Sequence, residues 1–184
     1  MTRSALLLTV AGILLAATAT RLAATTIIER TPEQLAREST LVVDGKVDAV
    51  RSYWSDDRSK ILTEATITVA GTHKGAPART VRVVQLGGVV GNVRITAHGA
   101  LAWKRGEEVL LFLESAGDNA YQVAGFSQGK YTIERDARSG RAFVHQALPP
   151  EEEGKDSAAS GAGGTAASER VTLQQFLDRV FPRR

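Results

Sequence analysis

Few side chains in this chain are of a type and spacing that could do chemistry. Its three histidines, His73, His98 and His145, stand on separate segments, and none has a second ligand type two to four residues away. Metal sites usually declare themselves by such local spacing, so we expect no bound metal, and the histidines read as surface or strand-end residues. Ser127 lies in Gly125-Phe126-Ser127-Gln128-Gly129, which fits the G-x-S-x-G string. A nucleophile elbow needs a strand–turn–helix setting, and here the β-favouring Tyr131-Thr132-Ile133 follows at once. Gly87-Gly88-Val89-Val90-Gly91 lacks the Gly-Lys-Ser/Thr ending of a phosphate-binding loop and reads as an inter-strand loop. Glu64 and Glu114 would make a carboxylate pair for glycoside chemistry if they faced each other, yet nothing singles them out from solvent-facing strand positions. We therefore expect no catalytic residue and no cofactor.

Aromatic and basic residues near turns remain. Trp54 ends a β-favouring run beside a polar turn, and Trp103 precedes Lys104-Arg105. Together with Arg82 and Arg94 these form the candidate partner-binding set: such groups stack sugars or bases, or anchor a protein. The competing expectation is that each tryptophan closes one end of a barrel, since Trp is highly buried on average.

The elements that must position these residues are mostly strands. Leu41, Val43, Gly45, Val47 and Ala49 alternate with Asp44, Lys46 and Asp48, which predicts a strand with one wet face and a bend or bulge at Gly45. After a turn at Ser55-Asp56-Asp57-Arg58, a return strand places Ile61, Ala65, Ile67 and Val69 inward and Glu64, Thr66 and Thr68 outward. Val81–Val84 and Val93–Ile95 follow, on either side of the glycine-rich loop. Val109-Leu110-Leu111-Phe112-Leu113 is apolar on both faces and is expected to be the central strand. Tyr121–Val123, Lys130–Ile133 and Ala142–Val144 complete the set. Short strands at nearly regular spacing, with no helical period between them, predict a mainly β barrel or compact sandwich.

Two helices flank the strands. Thr31-Pro32-Glu33-Gln34 is a capping box with proline at the first helical position, opening a short helix to about Glu38. Thr172 and Gln175 form a second box before Leu173, Phe176, Leu177 and Val180, which share one helical face.

The ends of the chain differ in composition from its middle. Arg3, the apolar run from Ala5 to Leu15 and the small residues Ala16-Ala17-Thr18-Ala19 have the order of a secretory signal peptide, cleaved after Ala19 or as late as Ala24. The run is short of the roughly 20 apolar residues a spanning helix needs, so no stable membrane anchor is expected after cleavage. The acylated cysteine of a bacterial lipoprotein is missing, as is any other cysteine. An exported domain without disulfides must be held by its core, and this favours a bacterial source, while the leader itself implies a periplasmic or extracellular location. The domain layout is then a leader at 1–19, a β domain at 25–148, an acidic then Gly/Ala/Ser-rich linker at 149–170 and a helix at 171–182. The formal charge of +3 falls to about +2 when Arg3 leaves, too little to imply nucleic acid.

Leu41-Val42-Val43-Asp44-Gly45-Lys46-Val47, Thr66-Ile67-Thr68-Val69 and His73-Lys74-Gly75 resemble the pattern of a family of small secreted bacterial β-barrel proteins of unassigned function. Gly106–Leu113 and Gln128-Gly129-Lys130-Tyr131 extend the resemblance over most of Thr31 to Arg135. The same order of elements is similar, at the level of fold, to the netrin-like module of tissue inhibitors of metalloproteinases, an OB-type barrel with flanking helices. Those inhibitors place an N-terminal cysteine on the protease zinc; this chain has none, so that mechanism does not carry over. What the resemblance implies is an architecture whose strand face or rim binds something. The expected function is a secreted, non-catalytic binding or accessory domain with a protein partner; the alternative is an OB-type module for glycan or nucleic acid.

Overall fold

A computed structural model describes residues 29–76, 78–97, 99–117, 119–147 and 171–182. The expected leader and linker lie outside these residues, as does His98. The architecture is mainly β. Helix α1 (Pro32–Glu38) precedes β1 (Leu41–Trp54), β2 (Ile61–Lys74), β3 (Thr80–Leu86), β4 (Gly88–Val90), β5 (Val93–Ile95), β6 (Glu108–Gly117), β7 (Ala120–Val123), β8 (Lys130–Arg135) and β9 (Ala142–Gln146). β10 (Val171–Thr172) and helix α2 (Leu173–Val180) close the described chain. No helix among the described residues is long and apolar enough to cross a membrane.

Strand pairing runs β1-β2-β3-β7-β6-β8-β9-β10, and β6 also pairs with β1. Five strands, β1, β2, β3, β7 and β6, therefore form a ring. All its ladders are antiparallel except β3–β7, which is parallel and two residues long, Arg82 facing Ala120 and Val83 facing Tyr121. β6 is the axis of the molecule. Its odd residues Val109, Leu111 and Leu113 join Val43, Val47, Ala65, Ile67, Val81 and Val83 inside the ring. Its even residues Leu110 and Phe112 face a second core, with Leu35 of α1, Tyr131 and Ile133 of β8, and Phe176 and Val180 of α2. A strand buried on both faces must read as a continuous apolar run, and this one does.

Both capping boxes form: Thr31 and Gln34 start α1, and Thr172 and Gln175 start α2. The register of β1 against β2 shifts between Asp44 and Gly45, where a Cβ would press on the Thr68 carbonyl oxygen. Of the two other shifts in this ladder, the one between Val47 and Ala49 leaves Asp48 as an extra residue, so Ala49 is exposed rather than inward. Glu64 does point away from the ring interior, but it is only 4% exposed. The glycine-rich segment is not a plain loop: Gly88–Val90 pairs with Val93–Ile95 as a hairpin. Gly88 lies where Ser52 and Thr63 of β1 and β2 leave no room for a side chain, and its φ of 140° suits glycine.

Candidate functional site

β3 and β7 stay together for two residues and then part. The gap opens into an apolar groove of about 210 Å³, lined by Val84 and Leu86 of β3, by Gln122 and Val123 of β7, and by Ala97, Leu101 and Phe126. Strand alternation fixes the backbone on both walls. Gly87 N–H donates to the Ile61 carbonyl of β2, and the register is unbroken along β3. The peptide groups of Val84 and Leu86 therefore face the other edge, towards the groove. Likewise Ala124 N–H donates to the Phe112 carbonyl of β6, which turns the Val123 peptide group to the groove.

The floor is held by one side chain. The Gln85 amide donates to the Leu101 carbonyl at 2.8 Å and accepts from the Leu101 N–H at 3.1 Å, as a neighbouring strand would. The same oxygen accepts from the Trp103 indole N–H at 3.1 Å. The segment before β6 is thereby fixed across the mouth of the ring.

Phe126 is the unusual residue. It is 68% exposed and its φ is +62°. A left-handed backbone is uncommon for a bulky side chain and costs roughly 1–2 kcal/mol. Gly125 before it is also left-handed, and the Gln128 N–H closes the turn on the Gly125 carbonyl. Leu86, 51% exposed, is a second uncovered apolar side chain of the groove.

The six residues expected from the sequence are not gathered here. Arg82 gives Nε and Nη2 to one oxygen of Glu64, at 3.0 and 2.8 Å, and Arg51 holds the other at 2.9 Å. These two guanidinium groups cover the carboxylate, and the Arg51 bond above all holds its pKa below the usual carboxylate range. Trp103 is half-buried against the ring core, and the Lys130 ammonium lies 4.6 Å from its ring centre. Trp54 is half-buried at the end of β1, opposite Ile61. Arg94 is exposed on the β4–β5 hairpin, and Lys104 and Arg105 are exposed on the turn into β6.

The other chemical candidates are accounted for locally. Glu64 and Glu114 have separate partners, since Glu114 lies opposite Gln122 and accepts from its amide. Ser127 sits on a turn running from β7 straight into β8, without the helix of a nucleophile elbow. His73 Nε2 meets the Asp44 carboxylate at 2.6 Å and its ring stacks on Phe181, while His145 is exposed on β9. Among the described residues, no three His, Cys, Asp or Glu side chains are grouped to hold a metal ion.

Phe126 and Gln85 are the groove residues that sequence reasoning missed. The glycine pair around Phe126-Ser127-Gln128 was the available signal, because glycines on both sides mark a turn, and a turn between two strands lies at the surface. Neither a protein-family model nor a curated protein sequence matches the chain.

Proposed function

We propose that this chain is a secreted, non-catalytic binding or accessory domain that engages an envelope or extracellular protein through the groove and rim at Phe126. The observation that carries this reading is Phe126 itself: a large aromatic held in solvent, in a costly backbone conformation, beside an apolar groove. Strain that folding does not need is a pointer to binding, and an aromatic anchor beside a pocket is what a partner's hot spot meets. The five-strand ring with one parallel closure supports an OB-type barrel, and with it the resemblance to netrin-like modules as an architecture. The apolar leader pattern of residues 1–19 supports export.

The test is capture of envelope and secreted proteins, with glycan binding read in parallel, by the tagged wild type and by Phe126→Ser. One stoichiometric protein, retained by the wild type and lost by Phe126→Ser, is the expected result. Glycan retained without a protein partner, and equally by both forms, would replace this reading with the polymer-binding one.

A further inference from the structure

Beyond Lys46, β1 has a partner strand on one side only. It pairs with β6 from Leu41 to Lys46, and its last backbone bonds on that side join Val47 to Gly106 and Glu107. The ladder with β2 continues to Trp54. The bonding pattern decides which groups the bare side presents. Ser55 N–H donates to the Lys60 carbonyl, so the bonded pairs of this hairpin continue at Tyr53–Leu62 and Arg51–Glu64. Val50, Ser52 and Trp54 fall in the alternate pairs. Their N–H and C=O groups point away from β2, where no strand among the described residues meets them.

An open edge is a template for another strand, and proteins commonly blunt it with lysine, proline or a bulge. Here Lys46 and the bulge at Asp48 precede the bare stretch. Val50-Arg51-Ser52-Tyr53-Trp54 itself carries a single charge, and that guanidinium turns back across the sheet onto Glu64 at 2.9 Å. Val50 is an exposed apolar side chain on this edge. The β4–β5 hairpin, seated by Gly88 against Ser52, brings the exposed Val89 and Val93 to the same end of the molecule.

We infer that this edge pairs with the same edge of a second copy, antiparallel about a two-fold axis at Ser52. The stretch is self-complementary in that register. Ser52 meets its own copy, Val50 lies opposite Trp54 of the second molecule, and Arg51 lies opposite its Tyr53. Outward-pointing peptide groups then oppose each other throughout, closing up to about six backbone bonds. Arg51 already lies 5.0 Å from the centre of its own Tyr53 ring, so the cross-axis pair repeats a contact these side chains make. An axis at Arg51 would set like charges opposite each other, and one at Val50 would run the bulge at Asp48 into the ladder. The groove at Phe126 lies beyond the other edge of β3 and takes no part, so this pairing stands or falls independently of the partner-binding reading.

So short a pairing is expected to be weak, with a dissociation constant of about 10–100 µM for the full chain in sedimentation. Val50→Pro removes an N–H that points out of the fold, where an edge strand tolerates proline, and is expected to weaken the dimer about tenfold or more. Val50→Thr keeps the N–H and the branched side chain and is expected to stay within about twofold of the wild type. The absence of cysteine gives a readout that does not depend on either variant. Mild oxidation of Ser52→Cys is expected to join two molecules about tenfold faster than that of Arg138→Cys, on the exposed β8–β9 turn. A wild type that stays monomeric at about 1 mM overturns the pairing. So does a dimer that Val50→Pro leaves intact, or a Ser52→Cys thiol that cross-links no faster than Arg138→Cys.

Discussion

Lys130 holds Glu107 by both carboxylate oxygens, at 2.9 Å each, beneath the face of Trp103. The ammonium is 2% exposed, and its third contact is the Ala102 carbonyl at 2.7 Å. All three of its donors are matched. Burial pushes the Lys130 pKa down, and the Glu107 carboxylate pushes against that shift. Thr132 adds a hydroxyl to Glu107 at 3.0 Å, so the segment before β6 is clamped to β8 at this point. The clamp is what turns Trp103 onto the ring core and away from solvent.

Removing one member should therefore be worse than removing both. Lys130→Met leaves Glu107 covered without its cation and is expected to cost about 3–5 kcal/mol. Lys130→Met combined with Glu107→Met is expected to cost less than the sum of the single changes, with a coupling of about 1–3 kcal/mol. Urea unfolding of the four forms at neutral pH measures this. Additive losses would mean that the clamp is not a unit.

Glu64 makes stability depend on acid. Its folded pKa lies below the usual value near 4.5, first because of the Arg51 hydrogen bond. As pH falls, the unfolded carboxylate takes up its proton before the folded one does. The contribution is thus complete above the usual carboxylate value and is lost as pH drops through the folded pKa. Glu64→Gln is expected to be about 1–3 kcal/mol less stable at neutral pH, with the gap narrowing below about pH 4. Asp57, held at about 2 by hydrogen bonds from Ser55 and Ser59, shapes the same acid limb in both forms. The difference between two urea titrations, wild type and variant, isolates Glu64.

What could be read from the sequence is what local rules decide. The two Thr/Gln capping boxes need only three residues of context, and both form. The double-faced burial of Val109–Leu113 is written in five consecutive apolar residues, and Gly45 marked its bulge by interrupting a strand. The misses are long-range. Ala49 faces out because Asp48 is one residue too many against β2, and no period within β1 announces that. Glu64 is on the outer face as its alternation requires, but Arg51 and Arg82 arrive from two other strands to bury it. The groove itself exists because β3 and β7, some forty residues apart, pair for two residues only. Its aromatic was hidden inside a string whose apparent meaning belonged to Ser127.

The C-terminal helix is expected to be part of the fold and not an appendage. Phe176 is 3% exposed, with its ring 4.8 Å from that of Tyr131 and 6.4 Å from that of Phe112. Phe176→Ala should cost about 3–5 kcal/mol, the usual range for a buried phenylalanine. Because the apolar face of α2 packs on the second core and only its C-terminal end meets β2, at His73, its release should raise amide exchange first in β9 and α1, with most of the ring strands β2 and β3 following only at global unfolding. Simultaneous exchange of all these segments would show instead that the two cores unfold as one.

Phe126 sets stability against binding. Its side chain is mostly in solvent, so shortening it sacrifices little apolar burial, while its left-handed backbone is a cost that asparagine bears more easily. Phe126→Asn is accordingly expected to raise stability by about 0.5–1 kcal/mol, seen as a higher midpoint in urea with an unchanged slope. The same change should weaken capture of the partner protein, because it removes the aromatic anchor at the groove. A residue kept for folding would move both measurements down together. A destabilised Phe126→Asn would therefore show that the ring has a packing role, and the strain at this turn would no longer point to a partner.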